Sequence, residues 1–289
     1  MKKLVAMMLA AVMCAGVFAG CNSKEEGTDA NQTETKSYVI LEEDFGEEEY
    51  GIAFRKGDNA LAMEVQKQLE AMMEDGKADE ISNKWFGENI LLSDADYLDP
   101  SVPENATDDS LQKIKDKGTL VLGLDASFPP MGFTDEKGNI VGFDIDLATE
   151  VAKRIGVELK VQPIIWDNKE TELNNGNIDV IWNGMSITEE RLAAMTFAKP
   201  YVANRQIILV PEGSDIKSKA DLSGKTVGLQ KGSSALDAVE ADKATMDTFG
   251  SLEQYEDNVA AIQDMDIGRL DAVVLDEVVA KYIIAQRSK

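Results

Sequence analysis

The sequence predicts an α/β fold built on largely parallel sheets. Three observations point there. Short apolar runs recur at 119–124 (TLVLGL), 158–163, 178–182 (IDVIW), 202–210, 225–229 (KTVGL) and 271–275 (DAVVL), as strands buried on both faces do. Helix-length segments fall between them, at 143–155, 167–175, 233–243, 256–266 and 276–286. In the first of these, Leu147, Val151 and Ile155 step by four and so share one face. Strands alternating with helices of this length are the pattern of crossover connections. No repeat of domain-array length is apparent.

The elements before residue 119 read in order as follows. Residues 38–41 (YVIL) predict a short strand, and the acidic run 42–49 (EEDFGEEE) a solvated loop. Residues 50–55 (YGIAFR) predict a second strand, stopped by Gly57-Asp58, which can cap a helix. Leu61, Val65, Leu69 and Met72 recur at helical spacing through 59–75, with the methionines as core filling. Gly76 ends that helix, and a shorter one runs to Trp85-Phe86-Gly87. Residues 93–110 are acidic, hold two prolines and lack apolar period, so they read as a linker.

The N-terminus has the pattern of an export signal. Lys2 and Lys3 precede an uncharged apolar run, Leu4 to Ala19, and small residues lead to Cys21. The run is shorter than the ~20 residues of a membrane span. The stretch FAGC resembles the lipobox of bacterial lipoproteins, which implies lipidation of Cys21 and removal of residues 1–20. Loss of Lys2 and Lys3 takes the net charge from −24 to −26. Residues 22–36 are polar, and with Cys21 they read as a flexible tether.

Composition excludes several chemistries. The 289 residues include no histidine, so no imidazole base or Ser-His-Asp triad is available. The two cysteines, Cys14 and Cys21, both precede the folded body, which removes thiol nucleophiles and Cys-rich metal sites from it. With 53 Asp and Glu against 29 Lys and Arg, nucleic acid is not an expected partner. Gly224-Lys225-Thr226 lacks the earlier glycine of a P-loop, because Lys219 stands there. No carboxylate cluster has metal-ligand spacing, and neither metal nor cofactor is expected.

The chemistry-bearing residues instead gather in strand-end loops, where open α/β sheets place ligands. Residues 124–133 (LDASFPPMGF) carry Asp125 and Phe128. Residues 183–191 (NGMSITEER) carry Asn183, Gly184, Ser186 and Arg191. Gly232, Ser233 and Ser234 open one helix, and Asp276 opens the last. An amino-acid zwitterion needs this kit: an arginine fork for carboxylate, helix-start N–H donors and an aspartate for ammonium. The plainer reading makes Asp125, Ser233 and Asp276 helix or turn caps.

These blocks carry a family resemblance. GFDIDLATEVAKRI at 142–155 is similar to the signature of the bacterial extracellular solute-binding proteins of family 3, the polar amino-acid receptors of ABC importers. LDASFPPMGF, residues 176–201, GKTVGLQKGSSA and DAVVLDE resemble successive blocks of that family. YGIAFRKGDNAL and ISNKWFGENI resemble its C-terminal blocks. The resemblance implies a two-lobed periplasmic-binding-protein-like fold of type II, with two interlobe crossings. By position it implies that Arg191 clamps the ligand carboxylate, helped by N–H groups near Ser186 and Ser234. It gives the ammonium to Asp276, the Gly184 carbonyl and the Ser186 hydroxyl. Phe128 and Trp166 would sandwich the side chain, with Asp125 and Asn183 reading its polar end. Gly232 and Ser233 belong to the same implied site.

One departure is large. The blocks that close the family's chain come first here, so the order reads as a circular permutation. The expected layout is lobe 1 at 55–92 and 111–202, and lobe 2 at 203–289 and 37–50. Residues 93–110 would join the old ends, with hinges near 50–55 and 200–206. A remnant of a neighbouring gene copy leads to the same order and differs only if the tail swaps into a dimer. The expected function is capture of a free polar amino acid by lobe closure and delivery to ABC permease subunits. The protein is expected to be a monomer, lipid-anchored outside the cell and not an enzyme. The alternatives are a dehydratase of prephenate-like acids on the same fold and an amino-acid co-receptor.

Overall fold

The computed structural model describes residues 36–92 and 106–288. The signal, Cys14, Cys21, the tether to residue 35 and linker residues 93–105 lie outside the described residues.

The first elements are β1 (Tyr38–Arg55), α1 (Asn59–Glu74), α2 (Lys77–Phe86), α3 (Ser110–Lys117) and β2 (Thr119–Leu124). A small sheet follows, β3 (Ser127–Phe128), β4 (Gly132–Thr134) and β5 (Ile140–Val141), then α4 (Phe143–Ile155) and β6 (Glu158–Pro163). Next come α5 (Lys169–Asn174), β7 (Val180–Ser186), α6 (Glu189–Ala194), β8 (Met195–Phe197) and β9 (Val202–Pro211). The last elements are β10 (Thr226–Gln230), α7 (Ser234–Ala241), α8 (Lys243–Met246), β11 (Ser251–Tyr255), α9 (Asn258–Asp266), β12 (Ala272–Asp276) and α10 (Glu277–Arg287).

The main sheet runs β11-β10-β12-β9-β1-β7-β2-β6, with β8 also on β1. Its flanks are parallel: β10 with β11 and β12, and β2 with β6 and β7. Its middle is antiparallel. β1 pairs with β9 from Tyr38↔Pro211 to Tyr50↔Val202, then with β7 and β8 as far as Arg55. The two lobes are thus joined through β1 and the chain around Val202.

The acidic run 42–49, expected as a loop, is the middle of β1. Its composition hid the strand, because the partner strand supplies the donors. Arg205 of β9 binds Asp44 at 2.9 Å, and Asn204 donates to Glu48 at 2.7 Å. Register shifts between Ile40 and Glu47 absorb the irregular spacing. Leu41 and Phe45 turn inward and pack with Ile208 and Val210.

The helix predicted over 59–75 forms, and Leu61, Val65, Leu69 and Met72 are fully buried. They join Leu120, Leu122, Leu147 and Val151 in one core. Burial of side chains of this size stabilises by roughly 1.5–3 kcal/mol each. Residues 106–110, assigned to the linker, are built into the body. Asp108 accepts from Ala60 N at 2.9 Å, and Ser110 Oγ from Leu61 N at 2.9 Å. These contacts satisfy N–H groups at the start of α1. The small sheet, α6, β8 and β11 had no sequence signal, since elements this short show no period.

Candidate functional site

Strand ends from both lobes meet at a narrow pocket, partly open to solvent, with a cavity volume of about 10 Å³. One wall is Asp125, Phe128, Trp166, Asn183, Gly184, Ser186 and Arg191. The other is Gln230, Ser233, Ser234 and Asp276. A second, open cavity of about 180 Å³ shares Asp125 and Trp166 and reaches Ile165, Glu256 and Asp257. Gly232 is the one predicted site residue outside this lining. Its carbonyl accepts from Lys169 Nζ at 2.9 Å and Arg191 Nη2 at 3.4 Å. Its φ is +65°, and a Cβ there would meet Asp167 Oδ1 at 2.7 Å.

Arg191 is positioned by its own short segment. Thr188 caps α6 by accepting from Arg191 N at 3.2 Å. The guanidinium then turns back to donate to Ser186 O at 2.9 Å. It is 5% exposed, and its ion-pair partner, Asp237, lies at 3.9 Å on a half-exposed side chain. Burial pulls its pKa down, and the charge of Asp237 opposes this. Beside it, buried Lys169 is pushed down to about 8, first by burial and then by the Arg191 charge.

Asp276 ends β12 and stands before α10, but its side chain makes no cap hydrogen bond. Its Oδ1 accepts from Tyr50 OH at 2.5 Å, Asn204 Nδ2 at 2.9 Å and Gln206 Nε2 at 3.1 Å. Burial raises its pKa well above the usual carboxylate range, and the Glu48 charge adds to the rise. The capping role weighed for it is therefore absent.

Asp125 makes the local turn weighed for it and a second contact that the sequence did not suggest. Its Oδ1 accepts from Ser127 N at 2.8 Å in a local turn, and its Oδ2 accepts from Gln230 Nε2 at 2.7 Å across the lobes. Burial pushes it up to about 6. Asn183 Oδ1 accepts from Asp125 N at 2.9 Å, while Asn183 Nδ2 is buried without a partner. Gly184 has φ +57°, and a Cβ would meet Phe128 at 2.8 Å, so only glycine lets the ring approach. Ser233 Oγ donates to Gln230 O at 2.7 Å, and Ser234 Oγ meets Ser186 Oγ at 2.8 Å. Lys231 pairs with Asp167 at 2.8 Å. The Asp125–Gln230, Ser186–Ser234 and Lys231–Asp167 contacts run between residues 111–202 and 203–289.

Sequence reasoning missed Gln230, Lys169, Glu48, Tyr50, Asn204 and Gln206. Gln230 ends a strand, where the strand-end rule points. Asn204 and Gln206 alternate within an apolar strand, and period two puts them on one face. Lys169 sits in a polar run and carried no signal. Among the described residues, no group of three or more acidic, histidine or cysteine side chains could hold a metal.

Two lobes joined through a sheet, closing on a polar cavity at the strand ends, define a type II binding-protein architecture. The chain belongs to the bacterial extracellular solute-binding proteins, family 3, whose profile matches residues 10–88 and 120–260. It is 33% identical over 186 residues to the L-cystine-binding protein TcyJ of Escherichia coli K12, covering 64% of this chain and 68% of that one. Among solved structures, it resembles an ABC uptake transporter substrate-binding protein from Streptococcus pneumoniae with bound histidine. The TM-score is 0.61 and the identity 37%, over 62% of this chain and 74% of that one. It also resembles holo ArgBP from T. maritima, at TM-score 0.56 and 40% identity, over 61% and 77% of the two chains. No helix among the described residues is long and apolar enough to cross a membrane.

Proposed function

We propose that the chain is the extracytoplasmic substrate-binding protein of an ABC importer, capturing a free polar amino acid between its lobes. One observation carries this reading. Arg191 and Asp276, a buried cation and a buried acid, line one pocket, and among the described residues neither has a close ion-pair partner. Buried charges of this kind are costly until a counter-charge arrives. An α-carboxylate suits the arginine fork and an α-ammonium suits the aspartate. Phe128 and Trp166 would flank the side chain, and Asp125 with Asn183 would meet its polar end. The relatives that carry histidine, arginine or cystine in their names support the ligand class.

The chain order is read as a circular permutation. The two-block family match and the packing of residues 38–92 into both lobes support it. Closure would hinge where β1 and the chain near Val202 pass between lobes, within 50–55 and 200–206. Cys21 would carry the membrane anchor, and labelled palmitate lost on Cys21→Ser would test that. A monomer is expected on size-exclusion chromatography, and a ligand-competent dimer as main species would contradict it.

A thermal-shift screen of all amino acids and cystine tests the central reading. A ligand at a hundredfold over its Kd adds about 2.7 kcal/mol of stability. A flat response to every compound would sink it.

A further inference from the structure

Beside Asp276, and outside the cavity lining, stands a second carboxylate. Glu48 of β1 is half-buried, and its Oε1 accepts from Asn204 Nδ2 at 2.7 Å and Gln206 Nε2 at 2.9 Å. The same two amide groups donate to Asp276 Oδ1, at 2.9 and 3.1 Å. Two carboxyls thus share one pair of donors, and the Glu48 charge bears on Asp276. Gln206 Oε1 adds a buried acceptor with no partner, and Gln206 is only 1% exposed.

The surroundings supply little counter-charge. From β1, Tyr50 OH donates to Asp276 and is fully buried, so it acts as a neutral donor. From β9, Arg205 is occupied by Asp44 at 2.9 Å and Glu277 at 2.7 Å. From α7 the neighbour is the Ser234 hydroxyl, which accepts from Gln206 at 3.1 Å. Arg191 of α6 feels both charges but hydrogen-bonds neither carboxyl, and Tyr201 feels only through Tyr50. Among the described residues, no lysine or arginine is ion-paired with Glu48 or Asp276. A carboxyl buried beside a second carboxylate resists ionising, so Asp276 keeps its proton until a counter-charge arrives.

We propose that Glu48 and Asp276 act as one acid pair that holds a single proton in the empty protein and releases it when a ligand ammonium docks. This rests on the amino-acid reading above. The step balances simply. The singly protonated pair carries one negative charge. The arriving ammonium replaces the proton, which passes from the carboxyl oxygen to solvent, and the pair becomes doubly negative. No other bond forms or breaks. Ammonium and proton therefore compete for the same oxygens. Binding weakens on acidification, close to tenfold per pH unit wherever the empty protein holds the proton. Asp276 titrating high, through burial and the Glu48 charge, agrees with this.

Calorimetry in buffers of differing ionisation enthalpy measures the proton count. The probes are L-arginine, L-histidine and L-cystine, together with any other amino acid that shifts the melting temperature. Near pH 7 the parent should release close to one proton per ligand bound. Glu48→Gln should release close to none and bind with an affinity almost flat between pH 5.5 and 7.5. The parent's own affinity-versus-pH profile gives the same answer without a variant. Binding with no buffer-dependent heat, or an unchanged proton count in Glu48→Gln, overturns the acid pair and leaves the amino-acid reading standing. Absence of binding by every amino acid removes both.

Discussion

Two charged clusters flank the cavity, lined by Arg191 from one and Asp276 from the other, and they mirror each other in charge but differ in construction. At one end two buried cations, Arg191 and Lys169, converge on the carbonyl of Gly232. At the other, two carboxyls, Glu48 and Asp276, converge on the amides of Asn204 and Gln206. The difference lies in sequence distance. Arg191, its cap Thr188 and its acceptor Ser186 lie within six residues. The acid end draws on three separate stretches, 48–50, 204–206 and 276. One end is set by a local turn. The other exists only once β1, β9 and β12 have paired.

Removing each end in turn gives the largest effects. Arg191→Ala should weaken amino-acid binding by a hundredfold or more, because a charge-assisted fork of about 3 kcal/mol is lost. Its melting temperature without ligand should change little or rise, since a desolvated cation is removed. Titration calorimetry and a melting curve check the two halves. Asp276→Asn should also weaken binding, by about tenfold to a hundredfold. Its stability has a definite sign. Asp276 titrates higher folded than unfolded, so its favourable contribution holds below the unfolded value and is lost as pH rises through the folded one. The variant should therefore gain on the parent between pH 5 and 8. An unchanged stability difference across that range would mean the acid is not desolvated.

The same contrast decides what could be read in advance. The α/β alternation, the helix at 59–75 and the NGMSITEER turn each lie within one stretch of chain, so period and spacing expose them. Arg191, Ser186 and Asn183 came to light that way. Glu48 did not, because the run EEDFGEEE looks solvated until Arg205, Asn204 and Gln206 stand opposite it. Lys169 did not, because its acceptor, the Gly232 carbonyl, lies 63 residues away. Asp276 was named through family position, while its partners needed the sheet register. Where a site residue takes its meaning from another strand, composition misleads.

The seam between the ends predicts an intermediate effect. Gly232 sits at positive φ with Asp167 against it. Gly232→Ala should strain the closed form and leave the open form nearly free of the clash. Affinity should fall about tenfold, an order-of-magnitude expectation for the Asp167 clash met on closure, since the positive φ strains both forms alike. The melting temperature without ligand should move less than the ligand-induced shift. Equal losses in both would place the strain in folding and not in closure.

The smallest effect sharpens the comparison most. Lys169 and Arg191 both donate to the Gly232 carbonyl, yet only Arg191 lines the cavity. Lys169→Met should therefore reduce affinity only severalfold, through lost positive potential. Its stability effect runs opposite to that of a lost contact. The Lys169 pKa falls from 10.5 to about 8 on folding, so the unfolded chain binds more protons between those values. Parent stability then rises with pH across that window, and the burden of the desolvated ammonium is fully present below it. The hydrogen bond to Gly232 O offsets part of that burden, at about 1 kcal/mol. The methionine variant should be more stable than the parent by about 1–2 kcal/mol below pH 8, a gain that fades toward pH 10.5. Denaturant melts at pH 7 and pH 10 measure it. A variant less stable at both would mean that the lysine's contacts outweigh its desolvation. The cation end would then be held together by its second charge, as the acid end is by its shared amides.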